Sequence, residues 1–541
     1  MPSFLSLKCA AKSWAGTWAC RILWCAPRGA KRDEAGLDTR RVARQSRSKH
    51  TIKFCKQLQT QDTGRTTTTR ALFTLSMAAM LGACSMGPAY QRPPVQTPDA
   101  FRGAPALAGK PLAEMAWWEV YRDPVLDKLL RTAMVNNYDV RIALARVEEF
   151  RAFAGIVGFG SIPQISAGGN ASRSRISTVG PTPLPSSAAP VRTTLNADVV
   201  ASYEIDLWRR IASLNAAASA DLLASEFARD TTRISVMSGV ATAYFALRAL
   251  DQQLAVSQRT AATRAEFARL TRIQFDRGVV SELDVNRAEA SLAAARAVIP
   301  ELKSRVTQTE NELHILLGEN PAPLVRAGAV DEQNFPVPPE VPVGVPSTLL
   351  ERRPDLRQSE SILIGVNARL KAVKASLFPT IALTGALGSQ SAAFGSLFTG
   401  PAQTWSFGLA LLQPIIDASR NKFQVQIYTA REQAAILQYQ QTVAQAFREV
   451  GDALAARTGN SEALRVQNEQ VAALRAARAQ VQKRYAAGYS SYFEVIDADS
   501  ALFIAELARV QVYRNLLISL VQLYKALGGG WNIEAPGGRA E

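Results

Sequence analysis

The sequence predicts an α+β protein whose chain is written twice, each copy running helix, two strands, long helix, turn, helix. Three observations predict it. The chain matches itself at two fixed offsets, two stretches of about 70 residues contain hardly a helix breaker, and short segments of two-residue apolar alternation precede each of those stretches.

The self-match is specific in its order. Near the start of each half, Asn137-Tyr138-Asp139-Val140-Arg141 corresponds to Arg353-Pro354-Asp355-Leu356-Arg357, and Pro163 to Pro379, both displaced by 216 positions. Near the end of each half, Phe275-x-x-Gly278-x-x-Ser281-x-x-Asp284-Val285 corresponds to Tyr485-x-x-Gly488-x-x-Ser491-x-x-Glu494-Val495, displaced by 210, so the second half is six residues shorter in its middle.

Each half opens on a helix, expected over 123–157 and again over 347–376. Strands follow near 163–173 and 193–206, then near 379–390 and 403–414. Leu195, Ala197, Val199, Ala201, Tyr203 and Ile205 alternate with Asn196, Asp198, Val200, Ser202, Glu204 and Asp206. In the other half, Trp405, Phe407, Leu409 and Leu411 alternate with Ser406, Gly408, Ala410 and Leu412. One face is apolar and the other small or polar, as in a barrel whose outside meets lipid. The same period also fits a sheet packed on a core. Four strands cannot close a barrel, since known barrels begin at roughly eight, and an open sheet in lipid would leave its edge groups unpaired. Several copies must combine, and periodicity leaves open whether two, three or four do so.

The long helices run from Trp208 to Arg277 and from Ala418 to Ala487, dominated by Ala, Leu, Arg, Glu and Gln. At 1.5 Å per residue each is a rod of roughly 100 Å. Rods of that length need neighbours, which the shorter helices over 282–317 and 492–527 supply in a coiled-coil-like assembly.

Charge and cysteine place the ends. The net charge of +16 is carried mostly by residues 1–70, which hold 15 Lys/Arg against 4 Asp/Glu and leave +5 for the rest. With sparse aromatics and no basic run interleaved with stacking residues, nucleic-acid binding is excluded. Cys9, Cys20, Cys25 and Cys55 lie in this leader and Cys84 is the last, so no disulfide framework or thiolate metal site is available beyond it. Arg65 and Arg70 precede the apolar stretch Ala71 to Leu81, too short to span a bilayer, and then Leu81-Gly82-Ala83-Cys84. That order resembles a bacterial lipobox, which implies cleavage before Cys84 and a covalent lipid on it; Ser85 in place of Asp implies sorting to the outer membrane. No Met lies between Met1 and Met77, and residues 1 to about 57 read as a misassigned start, with Leu58 a candidate origin. Detecting peptides from residues 3–50 in expressed protein would end that reading.

From Cys84 to about Trp531 the chain resembles the TolC-like outer-membrane efflux factors, in particular the NodT-type or OprM-like lipoprotein branch. The words carrying the resemblance are Trp117-Trp118 with Asp123-Pro124 and Leu126, Asn136-Asn137-Tyr138-Asp139, Tyr203-Glu204-Ile205-Asp206-Leu207-Trp208, Arg352-Arg353-Pro354-Asp355, and the two Gly-x-x-Ser turns. The division is then a leader with signal peptide at 1–83, a first efflux repeat at 84–320, a Pro-rich equatorial linker at 321–346, a second repeat at 347–531 and a tail at 532–541. The resemblance implies a homotrimer with a twelve-stranded outer-membrane β-barrel continuous with a periplasmic α-helical barrel. It also implies a periplasmic adaptor and an inner-membrane pump, proton-driven in this branch, as partners.

The turns at the far ends of the long helices carry the candidate site. Gly278 and Gly488 suit helix C-terminal positions with positive φ, and Ser281 and Ser491 suit the N-caps that follow. Ser491 with Glu494 forms a capping box, and Ser281 with Asp284 is a near relative, so Glu494 and Asp284 read first as caps. The second reading starts from Glu494 and Asp497, which share a helix face at i, i+3. They match the paired acids that line the periplasmic constriction of TolC-like proteins, and symmetry would make each a carboxylate ring favouring cations. Tyr485 and Asp284 match residues that hold that entrance shut in the family. Where TolC has an Arg, this chain has Ser490; Arg287 or Arg484 is the substitute, or else both are solvated surface charges.

Chemistry for catalysis is not visible. Only His50 and His314 exist, and no phosphate loop, nucleophile elbow or metal-ligand cluster occurs. The expectation is a passive duct for drugs or other small molecules, without cofactor apart from the lipid on Cys84. The alternatives are the exit duct of a one-step protein secretion system, and a structural lipoprotein tether, against which the duplicated strands argue.

Overall fold

The computed structural model describes residues 90–103, 117–181, 185, 187–326, 346–416 and 418–529, all within one compact unit, Phe73–Glu541. Cys84, the leader, residues 327–345 of the Pro-rich linker, Trp531 and the tail lie outside the described residues.

The duplicated order is present, with one refinement that occurs at the same place in both halves. The expected opening helix of each half is two helices. In the first half α1 (Pro124–Asn136) ends and α2 (Tyr138–Gly158) begins across Asn137. In the second, α5 (Pro346–Arg352) and α6 (Pro354–Ala375) are divided at Arg353, the residue 216 positions on. Asn137 leaves helical geometry and its Oδ1 accepts from the backbone N–H groups of Asp139 and Val140 at 2.9 and 3.1 Å, making it the N-cap of α2. At Arg353 the break comes from Pro354, whose missing N–H suits the first position of a new helix.

The same two residues clasp the far end of their own half. Asn137 Nδ2 donates to the carbonyl of Leu316 at 2.8 Å, and Arg353 Nη1 to that of Ala526 at 2.8 Å, the last residues of α4 (Glu282–Leu316) and α8 (Tyr492–Ala526). These carbonyls are among those a helix end leaves unpaired. Gly318 and Gly528 follow at φ +71° and +69°. A Cβ on Gly318 would stand 2.3 Å from the Asn136 carbonyl oxygen, so glycine is required there by space as well as by dihedral angle.

The strands are β1 (Gln164–Arg175), β2 (Val191–Glu204), β3 (Thr380–Ser391) and β4 (Gln403–Leu412). They form one antiparallel sheet in the order β1-β2-β3-β4, whose outer edges are unpaired among the described residues. The register puts Tyr203 beside Leu383 and Leu409, Ala201 beside Gly385 and Phe407, and Val199 beside Leu387 and Trp405. The apolar rows of the strands therefore share one face. That face is bare, with Trp405 79% exposed and Phe407 71%, so the sheet does not cover a core of its own chain. Ten to fourteen residues per strand reach the roughly 9–11 that a tilted strand needs to cross a bilayer. Among the described residues no helix is long and apolar enough to cross a membrane.

The strand β2 ends two residues earlier than the alternation implies. Asp206 accepts from the backbone N–H groups of Ile211 and Ala212 at 3.0 and 2.7 Å, capping α3 (Arg210–Asp276), while Arg209 takes the left-handed φ of +58°. Glu204 receives both guanidinium arms of Arg210 at 2.9 and 2.6 Å, and Trp208 donates to the Pro379 carbonyl at 2.7 Å. Starting α3 at the sheet needs this cap, because the first N–H groups of a helix have no internal partner.

The helices α3, of 67 residues, and α7 (Ala418–Ala486), of 69, run from the sheet to the far turns, about 100 Å at 1.5 Å per residue. The main core lies near their middles, where Val240, Leu247, Leu313, Leu363, Tyr439, Val443, Val450, Leu523 and Tyr524 cluster with Leu126 and Leu130 of α1. Polar anchors hold this level: Tyr244 donates to Asp123 at 2.6 Å, and Arg326 binds Asp251 at 2.6 Å and also Glu310.

Candidate functional site at the helical tips

Both tips have the same closing geometry. Gly278 at φ +72° lets Val279 N–H reach back to the Gln274 carbonyl at 2.9 Å; Gly488 at φ +80° lets Tyr489 N–H reach the Arg484 carbonyl at 2.8 Å. These are Schellman closures, and nothing stands within 4 Å of the place a Cβ would occupy at either glycine. Backbone geometry, not crowding, selects glycine here.

The next helix then starts on its cap. Asp284 Oδ2 accepts from Ser281 N–H at 3.2 Å and from its hydroxyl at 2.7 Å, while Ser281 Oγ accepts from Asp284 N–H at 3.3 Å. Glu494 Oε1 accepts from Ser491 N–H at 3.2 Å. Both acids thus serve as caps, and their negative charge also sits at the positive end of the following helix. Glu494 is half-buried, with one oxygen uncommitted among the described residues, and Asp497 lies exposed one turn further along α8.

A small core joins the two hairpins at this level: Ala268 and Phe267 of α3, Ala288 of α4, and Tyr492, Val495 and Ile496 of α8, with Tyr485 against them. The Tyr485 hydroxyl donates to Gln274 Oε1 at 3.3 Å. Asp284, engaged in its cap, lies near enough that its charge adds to burial in raising the Tyr485 phenol above its ordinary pKa. Burial likewise raises Tyr492. Arg287 lies 5.4 Å from the Phe493 ring centroid, Arg484 Nη2 donates to the Tyr489 carbonyl at 3.3 Å, and Ser490 bonds the Val481 carbonyl at 3.4 Å. Val279, Leu283, Tyr489 and Phe493 remain exposed, an apolar fringe shared by both turns.

Further along the hairpins stand ionic groups that no sequence pattern singled out. Asp499 receives Arg264 Nε of α3 at 2.9 Å, and Arg478 Nε of α7 lies 3.0 Å from its other oxygen as an ion pair. Glu506, seven residues on, receives Arg259 at 3.1 Å and Arg475 at 2.7 Å, from the same two helices. Arg264 also donates to the Ser291 carbonyl at 3.0 Å. Each of these two acids is held by one arginine from each long helix, so the two hairpins are bound together through charge. The spacing of Asp499 and Glu506 is a heptad on one helix face, which is visible in sequence; their partners, up to 247 positions away, are not.

A duplicated chain with a bare-faced sheet at one end, rods of about 100 Å and paired acidic turns at the other has the build of a channel subunit. Known proteins agree. The family model "Outer membrane efflux protein" matches residues 129–319 and 345–529. The antibiotic efflux pump outer membrane protein ArpC of Pseudomonas putida is 35% identical over 471 residues, covering 86% of this chain and 96% of that protein. Outer membrane protein OprJ of Pseudomonas aeruginosa is 33% identical over 476 residues, covering 85% and 95%. Among solved structures, the outer-membrane channel OprN superposes with a TM-score of 0.77 at 27% identity over 82% of this chain and 99% of its own. The open state of the Neisseria gonorrhoeae MtrE outer membrane channel gives 0.74 at 31% over 83% and 99%.

The chain belongs to the outer membrane efflux protein family. Its place is the outer membrane and its work is efflux transport, in the TolC-like and OprM-like manner of its relatives.

Proposed function

We propose that three copies of this chain form the passive outer-membrane exit duct of a tripartite efflux system. The observation that carries this is the four-stranded sheet with one bare apolar face and two unpaired edges. Three such sheets joined edge to edge make twelve strands and satisfy every edge group, which lipid cannot do. The helices below continue the duct into the periplasm. Cys84 carries the lipid that anchors each copy.

The duct has no catalytic part, so the energy for transport comes from an inner-membrane pump, proton-driven, reached through a periplasmic adaptor. The exposed fringe of Val279, Leu283, Tyr489 and Phe493 at the turns is the part of the chain suited to meet that adaptor. Glu494 and Asp497, repeated by threefold symmetry, line the periplasmic entrance as carboxylate rings that favour cations. Tyr485 and Asp284 support the closed arrangement of that entrance.

Purification from outer membranes, mass determination in detergent and single-channel recording test the duct. A lipidated trimer with small, cation-selective conductance is expected; a monomer that never conducts would remove the barrel and leave the tether. In E494Q/D497N, block by multivalent cations weakens and selectivity moves towards anions. If both stay unchanged, the acidic rings are not at the constriction.

A further inference from the structure

The charges of the sheet are distributed very unevenly. From Thr380 to Leu412 the second strand hairpin contains no charged residue, whereas the first carries Arg173, Arg175 and Arg192, with no Asp or Glu before Asp198 on β2. The register brings all three arginines to one end of the sheet: Arg173 pairs with Thr193, Ser174 with Arg192 and Arg175 with Val191. This is the end away from the long helices, which join the sheet after Glu204 and Leu412.

Alternation then separates the three by face. Arg173 and Arg175 continue the row Ile165, Ala167, Gly169, Ala171, which lies beside Ala201, Val199, Ala197 and Leu195 and hence on the apolar face with Leu387 and Trp405. Arg192 lies on the opposite, polar face with Asn196 and Asp198. Arg173 stands two residues beyond Ala171, about 7 Å along the strand, past Leu195, the last large apolar side chain before it, and Arg175 lies beside Val191. Both side chains are exposed, and among the described residues neither has an ion-pair or hydrogen-bond partner.

Two guanidinium groups without a carboxylate, at the outer margin of a face that meets lipid, await an anion that belongs to the membrane. We propose that Arg173 and Arg175 bind the phosphate groups of an outer-leaflet phosphorylated glycolipid, lipopolysaccharide. This rests on the barrel reading above, in which the helices fill the periplasmic side and the strand loops face outwards. The long aliphatic stems of arginine lie along apolar surface while the heads reach the headgroup level. A guanidinium fork matches phosphate oxygens in a bidentate way that a solvated lysine does not. Adjacent placement two residues apart on one strand lets one phosphate be shared or two neighbouring phosphates be held. The uncharged second hairpin, with Phe394 and Phe398 exposed in its loop, offers the acyl region and the interface an apolar neighbour without competing charge.

The test uses full-length protein purified from outer membranes, stripped of lipid, and titrated with rough-type lipopolysaccharide, with the same glycolipid after phosphatase treatment, and with inorganic phosphate. The phosphorylated glycolipid is expected to bind at least about tenfold more tightly than the dephosphorylated one, as a charge-assisted pair would give. R173Q/R175Q loses that preference while keeping its oligomer mass and conductance, and R192Q, on the other face, keeps it. An undiminished preference in R173Q/R175Q, or an equal loss in R192Q, overturns the assignment. Inorganic phosphate binding as tightly as the glycolipid would show a free-anion site and overturn it too. Wild-type protein that never conducts would instead remove the barrel on which the assignment rests.

Discussion

The two helical hairpins follow the same path and turn on the same motif, yet they handle charge in opposite ways. In the first, Glu289 of α4 pairs with Arg272 of its own hairpin at 2.6 Å, with both side chains half exposed at 51% and 50%. In the second, the position 210 residues on is Asp499, held between Arg264 and Arg478. Where the first has exposed Arg296, the second has Glu506, buried between Arg259 and Arg475. At these two matched positions duplication preserved the backbone while the buried acids stand on one copy only; the first hairpin keeps its own buried group at the level of the core, Asp251 and Glu310 around Arg326. The difference separates a contact buried inside the chain, α8 against α3 and α7, from the face of α4 that carries Glu289 and Arg296, which keeps its charge in water.

Substitutions at matched positions test that separation, starting with the largest effect. Asp499→Asn leaves Arg264, only 9% exposed, without its counter-charge, and is expected to cost about 3 kcal/mol of stability in detergent. Glu289→Gln, its counterpart, costs below about 1 kcal/mol because both partners remain in water. Equal losses at the two sites, read by denaturant unfolding, would show that the hairpins do not differ in this respect.

The clasp gives the next contrast. Arg353→Ala removes the donor to the Ala526 carbonyl and strands Asp355 and Glu449, bound at 2.6 and 2.8 Å; about 2 kcal/mol is expected. Asn137→Ala loses a neutral cap and one neutral bond to Leu316, about 1 kcal/mol. A shift in thermal midpoint larger for Asn137→Ala than for Arg353→Ala would contradict the view that the second half is the more ionically fastened.

The smallest effect is one of pH. Tyr485 and Tyr492 have folded pKa values raised above the ordinary 10.0 by burial, so the folded tip holds its phenolic protons more tightly than the unfolded chain does. The sign follows: their contribution is complete below about pH 10 and is lost as pH rises through the folded values. Protection of the tip amides, corrected for the base-catalysed intrinsic exchange rate, should therefore be flat up to that point and fall beyond it. Persistence of the alkaline step in Y485F/Y492F would assign it to other groups.

Sequence made some of this legible and concealed the rest for physical reasons. The duplication, the long rods and the Gly-x-x-Ser turns are local patterns, and local backbone chemistry decides them. Asp206 fitted the two-residue period by coincidence of spacing, and its role as the cap of α3 appeared only once the strand had ended. Asn137 and Arg353 were legible as matching words but not as breaks, because neither residue type is excluded from a helix. The ion pairs of α8 depend on arginines brought from distant segments by tertiary packing. Faces of the sheet were readable within β2 and β4 separately, whereas the register that unites them, and leaves them bare, is a property of the fold.

The clasp at Asn137 and Arg353 has a consequence for assembly. Each half fastens its own last helix to its own first without using residues 327–345, while the core around Val240, Leu363 and Tyr439 is shared by both halves. What covalent continuity adds is stoichiometry. It guarantees one first half for every second half, and so ensures that every Glu506 has an Arg259 of its own chain to meet.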